Sequence, residues 1–231
     1  MTWVGEAKRR AAEAASALVE SGTVIGLGSG STAAHFIRQV GTRMSSGDLN
    51  DVLGVPTSHQ AAADALEAAI PLTTLDEHPE LDLTVDGADQ IDGNLDAIKG
   101  GGGALLREKV VASASEKYVI IADGNKLAET LGEGQSLPVE VLPYSIGAVI
   151  RKIEELKSIP VLRMGSGKLG PVVTDNGNFI IDIDFGAIRE PSVLDARLKG
   201  IPGILETGLF LGYAGVAYVG KRGTVEEIVR N

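Results

Sequence analysis

A short run of β-branched and apolar residues passes directly into a turn that is rich in glycine and hydroxyl side chains. The apolar run is 23–27 (TVIGL), the turn is 28–32 (GSGST), and helical spacing resumes over 33–40. A strand, a glycine-rich turn and a helix in this order open a βαβ unit, and such units build parallel sheets. This segment therefore favours an α/β architecture.

The same arrangement recurs along the first half of the chain. Three more apolar segments are predicted to be strands, and each ends at a polar cluster: 52–56, 81–85 and 118–122. In open parallel sheets, ligands bind outside the carboxyl ends of the strands. The pattern predicts a Rossmann-like, mostly parallel sheet flanked by helices, with the polar clusters gathered at one edge.

Beyond residue 131 the pattern changes. The predicted elements are a strand over 137–143, an amphipathic helix over 145–156, a short strand over 161–163, a hairpin over 172–182 with an Asn-Gly turn, a helix over 192–198 and a strand over 201–206. Strands joined by hairpins, with helices to one side, indicate a smaller α+β domain of ferredoxin-like type.

These patterns predict two domains. We expect 1–129 and 207–231 to form the Rossmann-like catalytic domain, and 130–206 to form the small domain and to serve as an oligomerisation element. Within the tail, the apolar stretch 216–219 is a candidate to rejoin the first sheet, and a final helix is predicted after it.

The composition limits the class of partner. The 231-residue chain carries a formal net charge of −10, which argues against nucleic-acid binding, because phosphate backbones are bound through an excess of Lys and Arg. A phosphorylated small molecule needs only a local positive pocket. The sequence has no cysteine, and therefore no thiolate nucleophile. No apolar run approaches about 18 residues and no signal peptide is recognisable, so we expect no membrane association and a cytoplasmic location.

Four consecutive glycines, 100–103, lie between Lys99 and Glu108, and Asp86 and Asp89 precede them. Glycine loses more backbone freedom on folding than any other residue, so such a run is costly unless the chain must approach a ligand closely. One cation and three carboxylates on an unobstructed backbone predict an active site that handles protons and an anionic intermediate. Lys99 is the candidate to stabilise a developing oxyanion.

The turn at 28–32 has several interpretations. A dinucleotide loop would need glycine at position 31 or 33, where Ser31 and Ala33 stand, and would need an acidic residue after the second strand. The Gly-Lys-Thr of a triphosphate-binding loop is also missing. Backbone N–H groups and hydroxyls at a helix N-terminus favour a phosphate cradle. A tight turn capped by Ser and Thr side chains is the alternative.

The carboxylates also have more than one interpretation. Asp86 and Asp89 lack the spacing of a calcium loop, and crowded carboxylates suit acid–base chemistry. A solvated acidic turn is the alternative, and Asp92 fits it better. Glu108 is either a buried base or an exposed helix residue between two basic neighbours, and its position alone favours the exposed residue. The three histidines are widely separated, so no zinc site is expected.

Taken together, these motifs resemble the type A family of ribose-5-phosphate isomerases. The segments that carry the resemblance are Gly28-x-Gly30-Ser31-Thr32-Ala33, Thr57-Ser58-x-Gln60, Asp86-Gly87-Ala88-Asp89, Lys99-Gly100-Gly101-Gly102-x-Ala104-Leu105 and Arg107-Glu108-Lys109. The segments 137–141, 173–178 and 201–203 extend the resemblance to nearly the whole chain. Two positions depart from the family pattern, Gln90 for glutamate and Ser29 for threonine, and neither is expected to carry chemistry.

The resemblance implies cofactor-independent interconversion of D-ribose 5-phosphate and D-ribulose 5-phosphate through a cis-enediolate, in the non-oxidative pentose phosphate pathway. It implies Glu108 as the catalytic base, and isomerisation chemistry assigns further catalytic roles to Asp86, Asp89 and Lys99. The implied substrate contacts are Ser29, Gly30, Ser31, Thr32, Asp86, Gly87, Ala88, Asp89, Lys99, Gly100, Gly101, Gly102 and Lys126. The resemblance also points to homodimers or homotetramers, without metal or other cofactor.

Two other function classes remain open at this point. One is a different sugar-phosphate enzyme of the same superfold, such as a deaminase with a histidine dyad or a CoA transferase, although neither pattern is found. The other is a non-catalytic sugar-phosphate sensor domain, which would keep the phosphate loop but would not need Glu108 or Lys99.

Overall fold

The computed structural model describes residues 2–167 and 169–230. These residues form two compact units. The first consists of Met1–Ala88, Arg107–Lys126 and Gly212–Asn231, and the second of Asp89–Leu106 and Leu127–Leu211. The segment with the glycine run belongs to the second unit, a placement that the sequence did not indicate. The domain division expected at residues 130 and 207 stays a prediction.

The described elements alternate between helix and strand over residues 3–86. The helices are α1 (Trp3–Ser16), α2 (Ala33–Ser46), α3 (His59–Glu67), α4 (Leu105–Ser113), α5 (Ile146–Glu154) and α6 (Pro191–Lys199). The strands are β1 (Val24–Leu27), β2 (Leu53–Pro56), β3 (Leu81–Asp86), β4 (Gln90–Ile91), β5 (Ala97–Ile98), β6 (Ser115–Asp123), β7 (Leu137–Val141), β8 (Ile159–Leu162), β9 (Phe179–Asp184), β10 (Ile204–Thr207), β11 (Leu209–Phe210), β12 (Val216–Gly220) and β13 (Val225–Val229).

The first unit is built on a six-stranded sheet in the order β13-β12-β6-β3-β1-β2. All neighbours are parallel except β13, which is antiparallel to β12. Parallel strands are covered on both faces, and their residues alternate between the two. Ile25 and Leu27 pack with residues of α1, α2 and α3, whereas Val55 packs with Val24 and with Val111 of α4. The predicted mostly parallel sheet flanked by helices is confirmed.

The end of the chain differs from the prediction. The stretch 216–219 does return to the first sheet, as β12 beside β6, but the predicted final helix is wrong. The chain reverses within four residues, where the Lys221 N–H donates to Thr224 O at 2.9 Å. It then runs back as β13, which pairs with all of β12. Thr224, Val225 and Val229 are β-branched and favour a strand, and the turn brings a partner within reach.

The second unit contains antiparallel sheets. A four-stranded sheet has the order β10-β7-β9-β8, and a three-stranded sheet has the order β11-β5-β4. The apolar residues of β7 and β9 pack with those of α5 and α6 in one core. The predicted hairpin keeps its tight Asn-Gly turn, where the Thr174 N–H donates to Asn178 O at 2.8 Å. Its first arm contributes only an isolated bridge, Val173 to Phe179.

Among the residues described, no helix combines the length and the apolar character that crossing a membrane requires.

Candidate active site

In the first unit, the polar clusters follow the carboxyl ends of neighbouring parallel strands. The chain passes from β1 to β2 on one side and later places β3 on the other side of β1. The strand order therefore reverses between β1 and β3, and such a switch point is where open α/β sheets bind ligands. The turn 28–32 leaves β1 at this point, Asp86 ends β3, and Thr57 and Ser58 follow β2.

The carboxylate of Asp86 fixes the turn that follows β1. Asp86 is 0% exposed, and its Oδ1 accepts hydrogen bonds from the Ser29 N–H at 3.0 Å and the Gly87 N–H at 2.7 Å. A Cβ at Gly28 would lie 2.2 Å from the same oxygen, so only glycine allows this approach. Asp86 is thus a buried anchor for the turn and not a solvated acidic residue.

The hydroxyl of Ser29 is hydrogen-bonded to neighbouring side chains, whereas that of Thr32 does not cap the helix that follows. Ser29 Oγ lies 2.8 Å from Thr57 Oγ1 and 2.6 Å from Ser58 Oγ, so its hydroxyl joins the ends of β1 and β2. Thr32 occupies the N-cap position of α2 but makes no side-chain capping bond there. The capped-turn interpretation therefore does not explain Thr32. Hydroxyls and backbone N–H groups at the N-terminus of a 14-residue helix form a favourable anion site.

A cation that sequence reasoning missed lies beside this turn. Lys8, on α1, donates from Nζ to Ser31 Oγ at 3.0 Å. Burial first, and then the positive charges of Arg38, Lys8 and Arg9, hold the pKa of His35 below its usual value, although Glu13 acts in the opposite direction. Three basic side chains are therefore near the first turn of α2, even though the whole chain is acidic. Lys8 and Ser31 are 23 residues apart in the sequence, so no local sequence pattern indicated their contact.

Glu108 lies in the first turn of α4 and is buried, with 5% of its surface exposed. The exposed-helix interpretation, which its position alone favoured, is wrong. A buried ionisable group is costly to retain, and such groups are concentrated at functional sites. Lys126 ends a short 3₁₀ turn, Gly124–Lys126, directly after β6, and is half-buried. Both residues belong to the first unit.

In the second unit, Lys99 is held in a buried position. It is 2% exposed, and its backbone N–H donates to Gly208 O at 2.9 Å. Its ammonium nitrogen lies 5.3 Å from the centre of the Phe210 ring, within the range of a cation–π interaction. The lysine therefore has a fixed backbone position and an aromatic ring beside its charge.

Asp89 and the glycine run form one hydrogen-bonded loop. Asp89 donates its N–H to Ile98 O at 2.8 Å, and its Oδ2 accepts from the Gly101 N–H at 2.7 Å. A Cβ at Gly101 would lie 2.6 Å from Asp89 Oδ1. A side chain at position 101 would force this carboxylate away, which explains one of the four glycines by close approach.

Gln90 has a structural role within the second unit. Its Oε1 accepts from the Gly132 N–H at 2.7 Å, and its Nε2 donates to Glu133 O at 3.0 Å. Both ends of the amide are thus used to hold a turn. Across the described ranges, no three His, Asp or Glu side chains are grouped as a metal ion would require.

The predicted residues therefore fall into two groups. Those of the first unit are Ser29, Gly30, Ser31, Thr32, Asp86, Gly87, Ala88, Glu108 and Lys126, and those of the second are Asp89, Lys99, Gly100, Gly101 and Gly102. The contacts above join Ser29 and Gly87 to Asp86 in the first group. They join Gly101 to Asp89 in the second.

A family model and the curated relatives indicate the same family for this chain. The family model for ribose 5-phosphate isomerase A (phosphoriboisomerase A) matches residues 53–224. The ribose-5-phosphate isomerase A of Trichodesmium erythraeum is 46% identical over 223 residues, which cover 96% of this chain and 94% of that protein. The protein of the same description from Methanosarcina acetivorans is 48% identical over 223 residues, with coverage of 96% and 94%.

Solved structures agree with this. A D-ribose-5-phosphate isomerase in complex with phospho-erythronic acid superposes with a TM-score of 0.97 at 41% identity, over 100% of both chains. The ribose 5-phosphate isomerase A of Methanocaldococcus jannaschii gives a TM-score of 0.93 at 41% identity, over 97% of this chain and 98% of that one.

Proposed function

We propose catalytic and binding roles for individual residues of this chain, which belongs to the ribose 5-phosphate isomerase A family. It is an aldose–ketose isomerase that interconverts D-ribose 5-phosphate and D-ribulose 5-phosphate. The sensor-domain alternative is not favoured. The observation that carries our assignment of roles is the burial of three ionisable side chains, Asp86, Lys99 and Glu108, at 0%, 2% and 5% exposure.

Glu108 is the proposed base. Its carboxylate removes the proton from C2 of the open-chain aldose, the C–H electron pair forms the C1–C2 double bond, and the carbonyl electrons move to O1. The product of this step is a cis-enediolate. Return of the proton to C1, with transfer of a hydroxyl proton from O2 to O1, gives the ketose. A base buried away from water can be tuned for such transfers.

Lys99 is the proposed electrostatic stabiliser of the enediolate. Its backbone is fixed by the hydrogen bond to Gly208 and its side chain is shielded from water. A positive charge that is already oriented lowers the barrier most where negative charge develops in the transition state. We assign the hydroxyl proton transfer to Asp86 and Asp89, whose carboxylates are oriented by the backbone N–H bonds described above.

The turn at 29–32 is the proposed phosphate site, together with Lys126 and Lys8. Its backbone begins α2, and the pKa of His35 is lowered first by burial and then, to a smaller extent, by Arg38, Lys8 and Arg9, which lie nearby. Helix N-termini and lysines both favour a dianionic group. The phosphate end of the substrate is thereby assigned to the first unit.

The test of the whole assignment is an isomerase assay with protein that has been freed of metal by chelation. D-Ribose 5-phosphate should be converted to D-ribulose 5-phosphate at the same rate in EDTA as in added magnesium, because side chains and backbone N–H groups of the chain supply all the proposed groups. Activity that disappears on chelation and returns with a divalent ion would overturn the metal-free mechanism.

We also propose that the chain forms a homodimer or homotetramer in which each active site lies mainly within one chain. Several large apolar side chains of the second unit are exposed, among them Tyr144, Ile159, Val161 and Met164. Ile159 and Val161 lie on β8, the edge of the four-stranded sheet, and exposed sheet edges are commonly covered by a symmetric partner. Light scattering at micromolar concentration should give a multiple of the chain mass. A fully active monomer would contradict the proposal. The cytoplasmic location stays a prediction.

A further inference from the structure

Arg163 connects the four-stranded sheet of the second unit to the glycine run. The residue directly follows β8, and its backbone is fixed on both sides by the Arg163 N–H to Ile180 O and the Val172 N–H to Arg163 O bonds, each 2.9 Å. Its Nη1 donates to Gly100 O at 2.8 Å and to Gly101 O at 3.0 Å. One guanidinium nitrogen therefore holds two successive carbonyls of the loop that follows Lys99.

The guanidinium is itself oriented by Asp182. Its Nε donates to Asp182 Oδ2 at 2.7 Å, and its Nη2 donates to Asp182 Oδ1. Asp182 lies within β9 and is paired across the sheet with Pro138 and Val161. A bidentate arginine–carboxylate pair is planar and rigid. Asp182 therefore uses two of the donor nitrogens and directs the third, Nη1, at the loop.

This contact acts on two peptide planes, the first of which is also held by the turn bond from the Gly103 N–H to Gly100 O at 2.9 Å. Peptides are planar, and none of the described ones is cis, so the C=O and the next N–H of each point in opposite directions. In the peptide between Gly100 and Gly101, Arg163 holds the carbonyl and Asp89 accepts from the N–H. In the next peptide, Arg163 holds the Gly101 carbonyl, so the Gly102 N–H points away from Arg163.

We propose that Arg163 is a positioning residue for the isomerase reaction. It fixes the peptides of Gly100 and Gly101, and through them the relative placement of Lys99 and Asp89, without contacting the substrate. The inference rests on the proposed roles of Lys99 and Asp89. A run of four glycines has little conformational preference of its own, so its geometry depends on its hydrogen bonds, and Arg163 supplies two of them. A displacement of about 1 Å at a catalytic group can lower the rate about 10²-fold.

The test compares Arg163→Met, Arg163→Lys and Asp182→Asn with the control Lys199→Met. Lys199 lies at the end of α6 and forms ion pairs with Asp195 at 3.2 Å and Glu206 at 2.9 Å, so its removal perturbs a charged contact of the same unit on a different element from the glycine run. We expect Arg163→Met to lower kcat about 10- to 100-fold. KM should change by no more than a few-fold, because the proposed phosphate site is on the first unit.

Arg163→Lys should recover only part of the rate, since an ammonium lacks the planar fork that binds Asp182 and both carbonyls together. Asp182→Asn should give an intermediate loss, because the guanidinium remains but is less well oriented. Lys199→Met should keep the wild-type kcat. A kcat for Arg163→Met within about twofold of the Lys199→Met value would overturn the inference. If Arg163→Met does not fold, an unchanged kcat in Asp182→Asn would overturn it, and a lowered kcat with an unchanged Tm would support it.

Combination with Lys99→Ala separates this inference from the proposed function. If Arg163 acts through the loop, adding Arg163→Met to Lys99→Ala should lower kcat much less than it does in the wild type, because coupled residues are not additive. Full additivity would overturn the inference. A wild-type kcat in Lys99→Ala would refute the proposed role of Lys99 and the inference with it. A low kcat in Lys99→Ala with a normal kcat in Arg163→Met would refute only the inference.

Discussion

The two glycine-containing loops of this protein are positioned in different ways. The turn 28–32 is held by groups at the ends of neighbouring parallel strands, chiefly Asp86 and Thr57. The loop 99–102 is held by Arg163, which lies 62 and 63 residues from the two carbonyls that it contacts. One loop is placed by the ends of the parallel strands, and the other by the nearby Asp89 together with Arg163 from a distant part of its unit.

The difference corresponds to the roles proposed for the two loops. A parallel sheet places all its carboxyl ends at one edge, which suffices for a phosphate site built from backbone N–H groups and lysines. Stabilising a short-lived enediolate requires that a charge be placed more accurately, because such stabilisation depends steeply on orientation. We therefore expect changes at the first loop to act mainly on KM, and changes at the second loop mainly on kcat.

Glu108→Gln should have the largest effect. The substitution keeps the shape of the side chain but removes the base, so kcat should fall by about 10²- to 10⁴-fold with KM within a few-fold of wild type. Steady-state kinetics in both directions would measure this. Glu116→Gln, a change at an exposed position of β6, is the control. Near-normal turnover in Glu108→Gln would show that the base is another residue.

Lys99→Ala should have the second-largest effect on kcat. Loss of a charge that acts mainly on the enediolate should lower kcat by about 10²- to 10³-fold and raise KM much less. Lys117→Ala, at an exposed position, should leave both constants unchanged. A change in KM alone would show that Lys99 acts in substrate binding and not in transition-state stabilisation. The expected difference between the two loops, KM for the first and kcat for the second, would then not hold.

Lys8→Met should have the smallest effect and the opposite pattern. Loss of one cation beside Ser31 should raise KM about tenfold, which corresponds to about 1.4 kcal/mol of binding, and should leave kcat unchanged. Arg10→Met on the same helix removes a charge that pairs with Glu6, and so provides a matched control. If Lys8→Met lowered kcat with an unchanged KM, the first loop would not be a simple ground-state phosphate site.

The sequence by itself determined the parallel sheet and the position of its polar clusters. Segments such as 23–27 and 118–122 are short, apolar and followed by polar turns, and these signals are local. It also determined the family, because five motifs occur in the expected order. The final helix was wrong because 224–229 is too short for periodicity to separate helix from strand, and only the pairing with β12 decides it.

Tertiary structure decided the surroundings of the candidate site. Glu108 stands between two basic residues in a helix, and its burial depends on what packs over that helix. Lys8 contacts a residue 23 positions away in the sequence, and Arg163 contacts residues 62 and 63 positions away. No local sequence pattern predicts such contacts. A run of glycines indicates that the backbone needs conformations that other residues rarely adopt. The conformation it takes is set by its own turn hydrogen bond and by the charged side chains, Asp89 and Arg163, that the folded unit brings to it.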